Sequence, residues 1–344
     1  MFKRIFMAAV FAAVFFLSSQ FFLIAKDLLL LNSGRDYIYI VSLKDYSVKA
    51  KISVCKKEAS CTDIIPLESG YIEVLHRIDF NQDARKLYVY DKSFKNLLKT
   101  IKVDKSPYIA FPLKDGKFLI NHTFFSFNSS SFSAEIIDGN SLKVVKVLNL
   151  DGIPSNVIRY RGIDYAVIED VRGVINGVKL KDIFENRDLI LNNPFISSNI
   201  DAVNDVLYCA VNDYGYPDYK NSLLKLNVVP LALKNNVEIE VLKKFKTPFP
   251  YILGHANNWL VIGFTNHSLK NNFNKLTLFN VKNGKTKNFK ICFGPESMVF
   301  YENKIYIACI SEESFAVVDL KTLKLRIVKL SDTVPGFSRV KIVN

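Results

Sequence analysis

The chain has 344 residues, 49% of them hydrophobic, and carries a formal net charge of +13 at pH 7. This apolar content, with 16 Tyr and 27 Phe, is enough to fill a core and excludes a chain that is disordered throughout. No helix-turn-helix or aromatic-sheet motif accompanies the positive charge, so nucleic acid has no support as a partner beyond the charge itself. The lysines are spread along the chain and are predicted mainly to solvate and protect strand edges.

The first 25 residues are predicted to direct or anchor the chain at a membrane. Lys3 and Arg4 precede an apolar run of about 13 residues from Ile5 to Leu17, which is typical of a secretory signal. Continued to Ala25, the segment reaches the length of about 20 residues that spans a bilayer. A cleaved signal peptide (1–25) and an uncleaved anchor that contacts the membrane through residues 5–25 both remain open. Either one predicts that the domain of residues 26–344 is extracytoplasmic, that is, periplasmic, secreted or membrane-anchored and facing outside.

A two-strand pattern around a polar turn recurs five times along the rest of the chain. Each copy has a β-branched and aromatic run, a small polar residue, and a second run in which apolar residues alternate with Lys. The copies lie at 37–54, 86–103, 133–150, 275–292 and 314–330. Alternation with a period of two residues on both sides of a turn predicts a β-hairpin. The polar residue can accept hydrogen bonds from the backbone of the turn, and it is Ser42, Asp91, Asp138, Asn280 or Asp319.

Two more strands are predicted in front of each hairpin. Seven strongly apolar runs, typical of strands buried on both faces, lie at 28–34, 71–76, 117–122, 164–170, 206–213, 259–267 and 304–311. A further short segment precedes six of them, but the first run has no such predecessor. The chain ends instead with an unpaired strand at 337–343. We therefore expect this C-terminal strand to complete the first unit.

A strand-built repeat of about 40–50 residues predicts a β-propeller. The fold class is therefore all-β, a single propeller of seven four-stranded blades, closed by the C-terminal strand in the first blade. Six or eight blades remain as alternatives for two reasons. The fourth hairpin, near 173–184, is degenerate and runs into a polar stretch, and the fifth carries an insertion after 222–227.

The segment 28–54, "LLLLNSGRDYIYIVSLKDYSVKAKISV", resembles the YVTN-type repeat of the YncE-like propeller proteins. The similarity consists of an apolar strand, "NSG", an alternating strand, a turn and a charged outer strand, and it is partial in four other units. The resemblance implies a seven-bladed, extracytoplasmic propeller. It assigns no catalytic residue, because the repeat motif is structural.

Five cysteines are present. Cys55 and Cys61 bracket the link between the first two blades, and so short a loop in an exported protein predicts a disulfide between them. Cys209 and Cys309 lie in apolar strands and are expected to be small core residues, while Cys292 ends an outer strand. The spacings of a covalent haem or a zinc cluster are absent, so no metal ligand is assigned.

Binding residues are expected in the polar loops that follow the second strands, because these loops share one face of a propeller and long loops on a rigid scaffold commonly carry function. His76, His122 and His267 end three of these strands. Two are in neighbouring blades and the third lies across the ring, which disfavours a shared metal. In the loop 212–222, clustered Tyr can supply rigid contact area and Asp can accept hydrogen bonds or ligate Ca²⁺. The candidate binding residues are His76, Asp79, His122, Asp213, Tyr214, Tyr216, Asp218, Tyr219 and His267.

Three functions remain open at this point. The first is an exported, monomeric binding or scaffold propeller for a protein or an anionic envelope polymer, with no chemistry of its own. The second is a propeller hydrolase or lactonase whose channel-centred site uses Asp, Glu and His, with a divalent metal as an option. The third is a structural component of the envelope surface. The sequence shows no nucleophile motif or paired carboxylates, so no catalytic residue is assigned.

Overall fold

The computed structural model describes residues 28–32, 37–53, 59–77, 85–104, 106–122, 132–169, 177–185, 187–212, 217–229, 235–265, 273–330 and 336–343. Every regular element in these ranges is a β-strand, and no helix among them is long and apolar enough to cross a membrane. The signal or anchor predicted at residues 1–25 lies outside the described part of the chain.

Twenty-eight strands form seven four-stranded antiparallel blades. The first blade holds β28 (Arg339–Val343), β1 (Leu28–Asn32), β2 (Tyr37–Ser42) and β3 (Val48–Ser53), from the inner to the outer strand. The second holds β4 (Ala59–Pro66), β5 (Gly70–Arg77), β6 (Lys86–Asp91) and β7 (Leu97–Lys102). The third holds β8 (Pro107–Pro112), β9 (Lys117–His122), β10 (Phe132–Asp138) and β11 (Lys143–Leu150).

The remaining four blades follow the same order along the chain. The fourth holds β12 (Ile153–Tyr160), β13 (Ile163–Glu169), β14 (Val178–Asp182) and β15 (Asp188–Asn192). The fifth holds β16 (Ile200–Val203), β17 (Val206–Val211), β18 (Ser222–Val229) and β19 (Asn235–Lys244). The sixth holds β20 (Pro250–Ala256), β21 (Trp259–Phe264), β22 (Lys275–Asn280) and β23 (Thr286–Lys290). The seventh holds β24 (Pro295–Tyr301), β25 (Lys304–Cys309), β26 (Ser314–Asp319) and β27 (Lys324–Lys329).

The predicted closure of the ring is confirmed. Strand β28 pairs antiparallel with β1 along its whole length, from Leu28↔Val343 to Asn32↔Arg339. Ion pairs tie β28 to both neighbouring blades, since Lys341 Nζ lies 2.7 Å from Asp63 Oδ1 in β4 and Arg339 lies 3.7 Å from Glu296 in β24. The first blade is therefore built from both ends of the chain, which leaves no unpaired inner strand.

Seven apolar clusters fill the spaces between the blades, one for each interface of the ring. The cluster between the seventh and first blades contains Phe337, which is fully buried and meets the ring of Tyr39 edge-on at 5.5 Å. The cluster between the first and second blades contains Leu30, Ile64 and Val343. Because each blade packs both of its faces, the second strand of each blade is mostly apolar, as its sequence predicted.

The polar residue of each hairpin fixes its turn as predicted. Asp138 Oδ1 accepts hydrogen bonds from the backbone N–H groups of Asn140 and Ser141, at 3.1 and 2.7 Å. Asp319 binds the turn in the same way, and backbone hydrogen bonds to the charged form lower the pKa of both carboxyl groups. The degenerate fourth hairpin also has such a residue, because Asp182 accepts from Phe184 and Glu185. The sequence pattern did not reveal that turn.

The fourth and fifth blades are joined in a way that the sequence did not indicate. Their outer strands β15 and β19 pair in parallel at Leu191↔Asn235 and Asn192↔Asn236, which produces one eight-stranded sheet. The polar stretch after the fourth hairpin therefore contributes an outer strand, and the insertion in the fifth blade lengthens β19. The count of seven blades is unchanged, but the fourth and fifth blades are hydrogen-bonded to each other through their outer strands.

The only disulfide among the described residues joins Cys292 to Cys309 and connects the sixth blade to the seventh. Both residues are fully buried in the same apolar cluster. Cys309 is thus a core residue, as expected, and its bond to Cys292 was not predicted. Cys61 is buried, with its sulfur 3.5 Å from Asp63 O, and Cys55 lies outside the described residues, so a Cys55–Cys61 bond stays a prediction. Cys209 is a buried thiol whose pKa is raised by burial.

Deletion of residues 335–344 should lower the melting temperature by about 10 °C or more. The deletion exposes the inner edge of β1 and removes the buried Phe337, Val340 and Val343, each worth about 1.5–3 kcal/mol when fully buried. Differential scanning calorimetry measures the shift, and a synthetic peptide of residues 335–344 should restore part of it. A deletion variant that melts like the intact chain would show that β28 does not close the ring.

Replacement of both Cys292 and Cys309 by Ala should cost about 3 kcal/mol of unfolding free energy, because the disulfide closes a loop of 17 residues. The matched control is Cys209→Ala, since Cys209 is equally buried but makes no disulfide. Non-reducing peptide mapping should recover a cross-linked peptide containing Cys292 and Cys309. Recovery of both cysteines as alkylated thiols, with equal losses in the two variants, would contradict this pairing.

Candidate functional site

A cavity formed by described residues lies on the face that carries the long loops. It has a volume of about 400 Å³ and is lined by residues of the fourth, fifth and sixth blades. Its wall includes the ends of second strands, the link from β15 to β16, and the start of the inner strand β20. This volume is within the range of about 300–1,000 Å³ that is usual for small-molecule sites.

Every described residue in the wall of this cavity is uncharged. The polar members are Ser197, Ser198, Asn199, Asn212 and Thr265, and the others are Ile168, Gly177, Val178, Ile196, Phe249, Pro250 and Tyr251. A cavity with an apolar floor and several hydroxyl and amide groups can hold a ligand and fix its orientation through hydrogen bonds.

The polar groups of the wall are held in place by hydrogen bonds, two of which join neighbouring blades. Asn199 Oδ1 accepts the backbone N–H of Ile252 at 3.1 Å, and Thr265 Oγ1 donates to Pro295 O at 2.7 Å. Ser197 Oγ donates to Ala210 O at 2.9 Å. These contacts fix the side chains before any ligand is present, which reduces the ordering cost of binding.

An exposed tyrosine stands at the wall of the cavity. Tyr251 follows Pro250 at the start of β20 and is 44% exposed. The third blade has the same Pro-Tyr pair at the start of its inner strand β8, where Tyr108 is 39% exposed. Only Tyr251 lines the cavity, so these two residues have matched positions in the repeat and different surroundings.

Two of the loops predicted to carry binding residues start at this cavity. Asn212 and Thr265 are in its wall, immediately before the loops 212–222 and 265–275. In the first loop, Asp218 is exposed, and Tyr219 is half-buried with its ring 5.0 Å from that of Phe195. Tyr219 therefore contributes to packing of the fourth and fifth blades. The other candidates in these loops, Asp213, Tyr214, Tyr216 and His267, lie outside the described residues.

The remaining candidates belong to the second and third blades. His122 ends β9 and is buried beside Glu135 of β10, with 3.3 Å between Nε2 and Oε2. Both oxygens of Glu135 also accept the backbone N–H of Asp104. His122 thus forms part of a buried polar group at the interface with the second blade. The backbone of His76 pairs with Ser60 in the second blade, while its side chain and Asp79 lie outside what the structure describes.

A histidine–aspartate pair that the sequence did not predict joins the fifth and sixth blades. His255 Nδ1 lies 2.9 Å from Asp201 Oδ2, and the histidine is half-exposed while the aspartate is largely buried. The hydrogen bond to Asp201 raises the pKa of His255, and partial burial acts in the opposite direction. The two residues are 54 positions apart in sequence, so no local pattern could have revealed their contact. Among the described residues, no group of three or more His, Cys, Asp or Glu is placed to hold a metal ion.

The arrangement of strands defines a β-propeller protein, and comparison with solved structures agrees. The Neurospora crassa Pan2 WD40 domain is 12% identical with a TM-score of 0.50, and the match covers 90% of this chain and 87% of that one. A functionally unknown protein from Desulfotomaculum acetoxidans is 11% identical with a TM-score of 0.52, covering 89% and 100%. Kuenenia stuttgartiensis hydrazine synthase is 13% identical with a TM-score of 0.51, covering 86% and 90%.

These identities are low, so the similarities establish the fold alone. No protein-family model matches the chain, and no curated protein matches it. The class of protein is therefore a β-propeller, and the function has to be argued from the site.

The substitution Asp201→Asn should lower the pKa of His255, which NMR can follow because the chain has only 4 histidines. Because the pKa of His255 is raised in the folded state, its pair with Asp201 contributes its full stabilisation at pH values below the histidine pKa of the unfolded state, about 6.5. That contribution is lost as the pH rises through the folded pKa. The cost of Asp201→Asn should therefore be larger at about pH 5.5 than at about pH 9. Asp205→Asn, in the adjacent turn, is the control and should leave the titration of His255 unchanged.

Proposed function

We propose that this chain is an extracytoplasmic binding propeller of the YncE-like, YVTN-repeat type. Its ligand site is the cavity between the fourth, fifth and sixth blades. The observation that carries the proposal is this cavity of about 400 Å³, whose described wall residues are uncharged and which opens on the face with the longest loops. Propellers commonly place binding sites on such a face, because loops vary there while the blades stay rigid.

Two features support an extracytoplasmic location. The N-terminal residues 1–25 have the basic start and apolar run of a secretory signal or a membrane anchor. Cys292 and Cys309 form a buried disulfide, and disulfides persist mainly in oxidising compartments. The two features are independent, since one is a targeting pattern and the other a contact between blades.

The position of Leu28 indicates which way the cavity would face relative to a membrane anchor. Leu28 pairs with Ser42 and Val343, so β1 begins at the face that carries the hairpin turns. If residues 5–25 are retained as an anchor, this face is next to the membrane because only Lys26 and Asp27 separate the anchor from β1. The cavity then faces away from the membrane, where it is accessible to a partner protein or an envelope polymer.

Native mass spectrometry of the full chain purified from its own envelope tests this proposal. The wild type should carry a bound mass, and Ser198→Trp should lose it because the indole fills the cavity. Tyr108→Ala is the matched control, since it changes an exposed residue of the third blade outside the cavity, and it should keep the mass. A bound mass that is retained equally by Ser198→Trp would place binding elsewhere and contradict the proposal.

A further inference from the structure

We propose that the cavity between the fourth, fifth and sixth blades binds a neutral carbohydrate. The inference rests on the proposed binding function and specifies the chemical class of its ligand. It comes from the contrast between the charge of the whole chain, which is +13, and the wall of the cavity, where every described residue is uncharged.

The described residues of the wall, all of them uncharged, disfavour an anionic ligand. Binding of a carboxylate, sulfate or phosphate in a partly enclosed site costs desolvation that a nearby Arg or Lys normally offsets. Neither Arg nor Lys is among the described residues of this wall. A ligand without formal charge avoids the cost.

The polar groups suit a ligand that is rich in hydroxyl groups. A sugar hydroxyl both donates and accepts, and the Asn amides and Ser or Thr hydroxyls of the wall can do the same. Asn199 is oriented for this role because its Oδ1 is held by the N–H of Ile252. Among the described residues, its Nδ2 donors have no protein acceptor, so they remain for the ligand. Ser198 also lines the cavity, and its hydroxyl makes no hydrogen bond within the described part of the chain.

The aromatic residues suit the apolar face of a sugar ring. A pyranose ring has a face of C–H groups that packs on an aromatic ring, and the half-exposed Tyr251 offers such a ring at the wall. Phe249 is also in the wall. An uncharged peptide would share some of these contacts. The bordering strands β13, β17 and β21 are paired on both sides and offer a peptide no edge for backbone pairing. The inner strand β20, whose start is in the wall, pairs only with β21 among the described strands, so a peptide probe is included in the test below.

Isothermal titration calorimetry with maltotriose, cellotriose and N-acetylchitotriose tests the inference on the full chain. At least one of them should bind the wild type with a dissociation constant below about 1 mM. Tyr251→Ala should weaken this binding about tenfold, which corresponds to the loss of one packed aromatic ring. Tyr108→Ala, at the equivalent position of the third blade, should leave it unchanged.

A second variant separates ligand contact from structure. Asn199→Asp keeps an oxygen that can accept the N–H of Ile252 but replaces the Nδ2 donors. It should therefore weaken sugar binding about tenfold while its melting temperature stays near that of the wild type. Equal sugar affinity in the wild type, Tyr251→Ala and Asn199→Asp would overturn the inference.

Dextran sulfate and a Gly-Ser-Asn tripeptide that is acetylated at its N-terminus and amidated at its C-terminus, and is therefore uncharged, serve as competing probes. One outcome is that a competing probe binds the wild type, that this binding is lost in Tyr251→Ala, and that no neutral trisaccharide binds at millimolar concentration. The carbohydrate inference then fails, while the proposed binding function stands. If no probe binds and Ser198→Trp changes no bound mass in native mass spectrometry, the proposed function fails as well.

Discussion

The structure depends on its first blade, to which both ends of the chain contribute strands. Strand β28 supplies the inner strand of a sheet, and the strand β1 with which it pairs comes more than 300 residues earlier. Hydrogen bonds to β1, ion pairs from Lys341 to Asp63 and from Arg339 to Glu296, and the buried Phe337 hold it there. Closure in this way pairs β1 on both sides, which removes the aggregation risk of leaving that long apolar strand at a sheet edge.

Side-chain hydrogen bonds to the backbone of the next inner strand connect the blades near the loop face at every junction. They are made by Asn32, Asp63, Asn121, Asn156, Asn199, Thr265 and Ser297. Two of these residues, Asn199 and Thr265, also line the cavity. The same side chains therefore align neighbouring blades and shape the site, so a ligand there would bind to groups that the ring has already positioned.

Much of this architecture could be predicted from the sequence, because the determining interactions are local. Alternation with a period of two residues identified the hairpins, and the Asp or Asn at each turn was found in the predicted hydrogen bonds, as for Asp138. The C-terminal strand could be assigned because the first apolar run lacked a predecessor. The count of seven blades followed, despite a fourth unit whose turn at Asp182 was not recognised.

The site could not be predicted in the same way, because it is formed by contacts between blades. The cavity combines residues from 168 to 265, and the pair of His255 with Asp201 spans two blades. The bond between Cys292 and Cys309 likewise depends on how the sixth and seventh blades meet. Sequence reasoning found the loops that begin at Asn212 and Thr265, because polar length is visible locally. It did not find the uncharged wall beneath them.

Hydrogen exchange of the backbone amides, followed by mass spectrometry, tests the closed ring most directly. If β28 is an integral inner strand, the amides of Arg339–Val343 exchange as slowly as those of the inner strands β4 and β24, since all three open only with the whole ring. Fast exchange in 339–343, with protection retained in β4 and β24, would contradict the account, because the first blade would then be open at its inner edge.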